Sequence, residues 1–223
     1  MKNSNLIATL LLLLFFVTSN AFSQGYFSMH FGPSFPMSDF ADDDMYDEDA
    51  GGAGVGFGLG LQYVHPLTES GLGLFCGFDF NYNGLKKDVK DDIEDMFPNN
   101  ADITYYKYLN YPVSAGLNYT YQTDGNTSFI GNIGLTANFL KTTDFVVEVD
   151  NEEVSIEFDL ANSIGFKIGG GILLNDKTLI EINYLGLGKH DIEGKMKYDG
   201  GSEDIDDIEQ EVTILTLTIG FKF

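Results

Sequence analysis

The sequence predicts an all-β fold: an eight-stranded, antiparallel, up-and-down transmembrane β-barrel. Three observations lead there. Long segments alternate with period two between apolar or aromatic residues and small or polar ones. Of the 34 acidic residues, 28 fall in four blocks: Asp39–Asp49, Asp88–Asp102, Glu148–Asp159 and Asp191–Glu211. Between these blocks the segments join through very short turns near Leu67–Ser70, Thr123–Asn126 and Asn175–Lys177. Long polar connections on one side and tight turns on the other are the sequence pattern of a membrane barrel.

The chain opens with a weakly positive Lys2, an apolar stretch Leu6–Val17, and small residues at Ala21 and Ser23. This reads as a signal peptide over residues 1–23, with the barrel occupying 24–223 from Gln24. Twelve apolar residues at about 1.5 Å each are too short to cross a hydrocarbon core of about 30 Å as a helix. The rest of the chain has no apolar run long enough for a spanning helix. Strands that cross a membrane must close, because lipid cannot satisfy a free sheet edge.

Eight segments follow. Phe27, Met29 and Phe31 oppose Ser28, His30 and Gly32 in the first. Val55, Phe57, Leu59, Leu61 and Tyr63 oppose Gly56, Gly58, Gly60 and Gln62 in the second. The third sets Leu72, Leu74, Cys76, Phe78, Phe80 and Tyr82 against Gly73, Phe75, Gly77, Asp79 and Asn81. The fourth sets Leu109, Tyr111, Val113, Ala115, Leu117, Tyr119 and Tyr121 against Asn110, Pro112, Ser114, Gly116 and Asn118. The fifth alternates over Asn132–Phe139, the sixth over Ser163–Leu174, the seventh over Ile180–Tyr184 and the eighth over Ile214–Phe223. Segments of about 10 to 13 residues suffice for tilted strands to cross a bilayer.

An even count leaves both termini on one side. With periplasmic termini, every acidic block is extracellular and every short turn periplasmic. Tyrosines near strand ends (Tyr26, Tyr63, Tyr82, Tyr105, Tyr106, Tyr119, Tyr121, Tyr184) suit an interfacial girdle. A soluble lipocalin-like ligand-binding barrel is the alternative; it would bury the apolar face and expose the polar one. The glycine-rich, charge-poor polar faces argue against it.

The polar faces carry Asp79, Lys167, Glu181 and Lys222. In a narrow lumen these charges are expected to pair into a neutral network that plugs the barrel, because an isolated buried charge is very costly. An eight-stranded barrel has room for little besides its own side chains, so a plug is expected over a small-solute pore. Two acidic blocks are especially dense: Asp42, Asp43, Asp44, Asp47, Glu48 and Asp49, and then Glu203, Asp204, Asp206 and Asp207. The ligand spacing of a calcium loop is absent. The acids therefore read as a solvated surface, with divalent bridging to lipopolysaccharide as a lesser reading and no metal site or cofactor expected. Val89, Ile93, Met96 and Phe97 have helical spacing. Phe145–Val149 and Val154–Phe158 predict a hairpin turning at Asp150–Glu153.

The formal net charge is −22, with 12 lysines and no arginine, which excludes nucleic-acid binding. The single cysteine, Cys76, excludes an intrachain disulfide. A lipid-modifying enzyme would need a nucleophile and base near the membrane boundary. Ser163 and His190, with Asp159 or Asp191 orienting the imidazole, can be imagined in those roles; His30 and His65 are less suggestive, the spacing does not demand such a site, and no catalytic residue is assigned.

Several stretches resemble the outer-membrane β-barrel domain family of Gram-negative bacteria, including PorT-like proteins. They are Tyr108–Val113, the glycine-rich Ser163–Leu174, Asn183–Leu187 and the terminal Thr218–Phe223. The resemblance implies an outer-membrane address with N- and C-termini periplasmic. It implies Phe221 and Phe223 as the signal read by the barrel-assembly machinery, and contact with outer-membrane lipids and lipopolysaccharide. The expected role is structural or interactive: a plugged barrel with acidic extracellular loops, accessory to envelope assembly or protein secretion through a protein partner.

Overall fold

The computed structural model describes residues 25–44, 49–150 and 152–223, apart from the side chains of 206 and 207. Residues 1–23, where a signal peptide is expected, and Gln24, Asp47 and Glu48 lie outside the described residues.

The strands are β1 (Tyr26–Met37), β2 (Gly56–Pro66), β3 (Leu72–Asn83), β4 (Asp102–Thr104), β5 (Tyr108–Asn110), β6 (Val113–Gln122), β7 (Thr127–Thr142), β8 (Phe145–Val149), β9 (Glu152–Phe158), β10 (Leu160–Leu174), β11 (Thr178–Tyr198) and β12 (Gly201–Lys222). One α-helix, α1, spans Lys87–Asp95. Every strand pairing is antiparallel. The pairings run β1–β2–β3–β5/β6–β7–β10–β11–β12 and return to β1. Among the described residues the eight expected segments are divided and extended into twelve strands.

Two causes account for the difference. First, the fourth segment is broken at Tyr111 and Pro112, because proline has no N–H to give the ladder. The register nevertheless carries straight across: Asn81 faces Asn110, and three residues away Phe78 faces Val113. The bonds from Asp79 N–H to the Pro112 carbonyl and from Tyr111 N–H to the Phe139 carbonyl, both 2.9 Å, hold the gap closed. Second, part of what reads as acidic loop is strand. Residues 191–211 continue the pairing of β11 with β12, with one register shift between Ile192 and Gly194, and turn at Asp199 and Gly200. On the β12 side, charge on both faces over 203–211 hides the stretch from a hydrophobic-periodicity reading; on the β11 side Asp191, Glu193, Lys195 and Lys197 alternate with Ile192, Gly194, Met196 and Tyr198. β9, β8 and β4 add in turn to the side of β11, so the hairpin expected at Phe145–Phe158 joins a sheet extended beyond the ring.

The short turns lie where the sequence puts them. Asn175 and Asp176 both take positive φ, 53° and 56°, and Lys177 N–H donates to the Leu174 carbonyl at 3.0 Å. This is the primed two-residue turn whose twist suits a hairpin.

Alternation sorts side chains in one sense around the ring. Phe27, Leu61, Phe78, Leu117, Leu135 (71 % exposed), Ile164 (79 % exposed) and Leu217 face outward, while Ser28, Gln62, Asn81, Ser114, Asn118, Thr136, Asn183 and Thr218 are buried inside. The phase changes once on β11. Leu179, Glu181, Asn183 and Leu185 point in before a bulge at Gly186–Gly188; His190 and Ile192 point in after it. Gly188 has φ +83°, and a Cβ there would sit 2.7 Å from the Ile164 carbonyl oxygen, so glycine is required at that bulge.

Candidate functional site

The interior has three storeys. At the end with the long connections sits an apolar cap. Phe40, in a 3₁₀ turn at Ser38–Ala41, is fully buried beside Val89 and Ile93 of α1 and Tyr108, Leu140, Leu187, Val212 and Ile214 of the wall. Phe40 and Tyr108 meet edge to face, 4.9 Å between ring centroids, and the Tyr108 hydroxyl donates to the Gly51 carbonyl at 2.7 Å. The helical spacing of Val89 and Ile93 foreshadows α1. Nothing in the local sequence distinguishes Phe40 as its partner, because the contact is long-range.

The middle storey is ionic. Lys167 Nζ lies 3.0 Å from Asp79 Oδ2, with the lysine 2 % and the aspartate 6 % exposed. His30 Nε2 lies 2.7 Å from the other oxygen of Asp79. The structure brings together two of the four expected lumen charges and adds His30, which is not among the four. Its position on the polar face of the first strand is the only signal that could have found it.

The other two charges stand apart, so the expectation of a single four-charge network is corrected. Glu181 accepts from Asn132 Nδ2 at 3.3 Å and pairs with no lysine among the described residues. Lys222 pairs with Asp176 in the short turn and lies 4.5 Å above the Tyr26 ring. A lysine at the last position of its strand can reach the turn below it, and Lys222 does so instead of joining the Asp79–Lys167 pair.

The lowest storey, at the short-turn end, is a cavity of about 520 Å³ lined by Tyr26, Asn118, Thr120, Ser128, Leu173, Lys222 and the turn Thr68–Gly71 among others.

Ser163 and His190 do meet, with Ser163 Oγ 2.7 Å from His190 Nε2. The pair is not arranged as nucleophile and base. The Ser163 hydroxyl donates to the Leu187 carbonyl, Asn138 Nδ2 approaches the same imidazole nitrogen at 2.9 Å, and His190 is fully buried beneath the cap. Neither Asp159 nor Asp191 hydrogen bonds to the ring, so the orienting acid imagined from sequence is not in place.

The acidic residues are mostly solvated. Asp42 accepts from Asp44 N–H at 3.0 Å, Asp43 pairs with Lys86 at 3.2 Å and Asp204 with Lys195 at 3.3 Å. Asp49 and Glu203 are exposed, and Asp206 and Asp207 lie on β12. Exposed pairs of this kind contribute about 0–1 kcal/mol each. Among the described residues no group of three or more acidic, histidine or cysteine side chains is placed to hold a metal. Outside the ring, burial and a hydrogen bond to Glu94 push the Tyr105 phenol up to about 12. Phe221 and Phe223 are exposed on the outer face.

No family profile and no curated protein matches the sequence. Solved structures do resemble it. A major outer membrane protein from Thermus thermophilus aligns over 89 % of this chain and 98 % of its own, at 14 % identity and a TM-score of 0.50. The outer membrane protein OprG from Pseudomonas aeruginosa covers 90 % and 96 % at 15 % identity and a TM-score of 0.46. Neisserial surface protein A covers 89 % and 95 % at 13 % identity and 0.46. At such identity the first of these speaks to fold alone: an all-β, antiparallel chain shaped like a small outer-membrane barrel protein. The two with lower scores add no argument, and the PorT-like resemblance rests on sequence motifs only.

Proposed function

We infer that this chain is an eight-walled outer-membrane barrel of a Gram-negative bacterium, non-enzymatic, closed to solute flow, with a structural or interaction role. One observation carries the reading: burial is inverted relative to a soluble protein. Around the ring, large apolar side chains are exposed and amides, hydroxyls and charges are buried. Exposed apolar surface on this scale needs an apolar medium, and a lipocalin-like protein would have the reverse arrangement.

Oriented with its short turns periplasmic, the barrel presents α1 and the β4–β8–β9–β11–β12 sheet outside the cell, carrying most of the acid. The barrel-assembly machinery would read Phe221 and Phe223 during insertion, and lipid and lipopolysaccharide would surround the belt. The acidic sheet is the surface for an envelope or secretion partner. Its charge favours a basic one, since complementary fields steer and select encounters. Affinity recovery of the tagged protein from envelope membranes tests the role. A reproducible partner should be recovered from the membrane fraction and lost on trimming Asp39–Asp49 or Asp199–Glu211. Recovery of the protein from the soluble periplasm, or a partner indifferent to both trims, would refute it.

A further inference from the structure

The ionic storey encloses a small cavity of about 10 Å³, lined by His30, Asp79, Asn81, Lys167, Asn183 and Thr218 among others. We propose that it is a binding site for one internal water molecule, and that this water holds His30 as the neutral tautomer with its proton on Nε2.

The cavity follows from the register of the wall. Gly32 of β1 faces Gly58 of β2, and Gly58 faces Asn81 of β3. A Cβ at Gly32 would strike the Leu217 carbonyl oxygen and lie 2.9 Å from Thr218 Cα, and one at Gly58 would lie 2.6 Å from Asn81 Oδ1. Two bare positions side by side thus separate Thr218 from Asn81 on the inner wall. His30 lies one step lower on the same face of β1, and Asp79 one step lower on β3. A cavity must offer about 10–15 Å³ to admit one water, so this one admits a single water and nothing larger.

Four of the lining residues carry a buried polar atom with no hydrogen-bond partner among the described residues: His30 Nδ1, Asn81 Nδ2, Asn183 Oδ1 and Thr218 Oγ1. None of the four residues is more than 4 % exposed. Buried polar atoms need partners, and a buried water supplies about three. The set is mixed: Asn81 offers an N–H, Asn183 a carbonyl, and Thr218 can give or take. A water does both and suits it. A cation would meet the Asn81 amide and the Lys167 ammonium, and an anion would meet the Asp79 carboxylate. A hard metal would want several free oxygens, and both Asp79 oxygens are taken, by His30 and Lys167.

The same contacts fix the ring. His30 Nε2 lies 2.7 Å from Asp79 Oδ1, and a carboxylate only accepts, so the proton sits on Nε2. Lys167 already neutralises Asp79, and a neutral imidazole adds no second buried charge beside the pair. Nδ1 is then an acceptor, and the water donates to it.

The test is NMR of the full chain refolded in detergent micelles with isotope-labelled histidine. The His30 ring, identified by the loss of its signals in His30→Gln, should carry its proton on Nε2 and show the nitrogen shift of a hydrogen-bonded acceptor at Nδ1. Its Cε1 proton should give a nuclear Overhauser cross-peak to water. Thr218→Ile fills the cavity and should abolish that cross-peak; Thr218→Val keeps the space, removes one partner and should weaken it. The compact band on an unheated gel should match the wild type in both variants, so a lost cross-peak is not a lost fold. A proton on Nδ1, no cross-peak in the wild type, or a cross-peak unchanged in both Thr218 variants would each overturn the proposal.

Discussion

Replacing Lys167 by methionine is expected to destabilise the barrel by about 3–5 kcal/mol, the cost of stranding one partner of a buried ion pair. Lys167 and Asp79 lie 88 residues apart in sequence, on β10 and β3, and meet at 3.0 Å across the lumen. Neither touches bulk water, so removing the ammonium leaves Asp79 with His30 alone. Methionine keeps most of the volume, which separates the charge effect from a cavity. The double variant Asp79→Asn, Lys167→Met should recover most of the loss, because a neutral interior carries no uncompensated charge. Urea titration in lipid vesicles, read as the compact band on an unheated gel, gives both values. If the single variant were as stable as the wild type, the middle storey would not hold the walls together.

Phe40→Ala is expected to cost a similar amount, about 3–5 kcal/mol, as for other large-to-small changes of a fully buried aromatic ring, but in a different place. Phe40 links the first long connection to α1 and to Tyr108 at the wall. Its loss should loosen the cap and leave the strands below paired. Limited proteolysis should then cut within residues 38–55 or 84–101 of the variant, while the wild type resists and the compact band persists in both. Cleavage of both proteins at equal rates would show that Phe40 does not hold the cap.

The two variants also separate what could be read in the sequence from what could not. Period-two alternation finds the wall because each strand reports its own inward and outward faces. The three short turns are visible because Asn, Asp, Gly and Ser concentrate there. α1 and the β8–β9 hairpin announce themselves by local spacing. Contacts between distant segments leave no such trace: Phe40 against α1, His30 against Asp79, and Lys222 turned down to Asp176 all depend on register around the ring. The outer halves of β11 and β12 were hidden for another reason. Beyond the apolar belt β12 is charged on both faces over 203–211, so its alternation fades while the hydrogen-bonded ladder continues, and the charged face of β11, Asp191, Glu193, Lys195 and Lys197, made its half read as part of an acidic loop. The Gly186–Gly188 bulge also shifts the phase, so that His190 comes inside opposite Ser163 without any periodicity to signal it.

Cys76 offers the most direct test of the central claim, that the outward apolar face contacts lipid. It is the only cysteine, exposed on the outer face of β3 between the equally outward Leu74 and Phe78. The protein should be labelled at Cys76 with an uncharged fluorescent maleimide, refolded into vesicles, and quenched with lipids brominated along the acyl chain or with aqueous iodide. Strong quenching by the brominated lipid with little effect of iodide is the expected result. Quenching by iodide at the rate of a free dye, with none from brominated lipid, would place this face in water and contradict a membrane-spanning barrel.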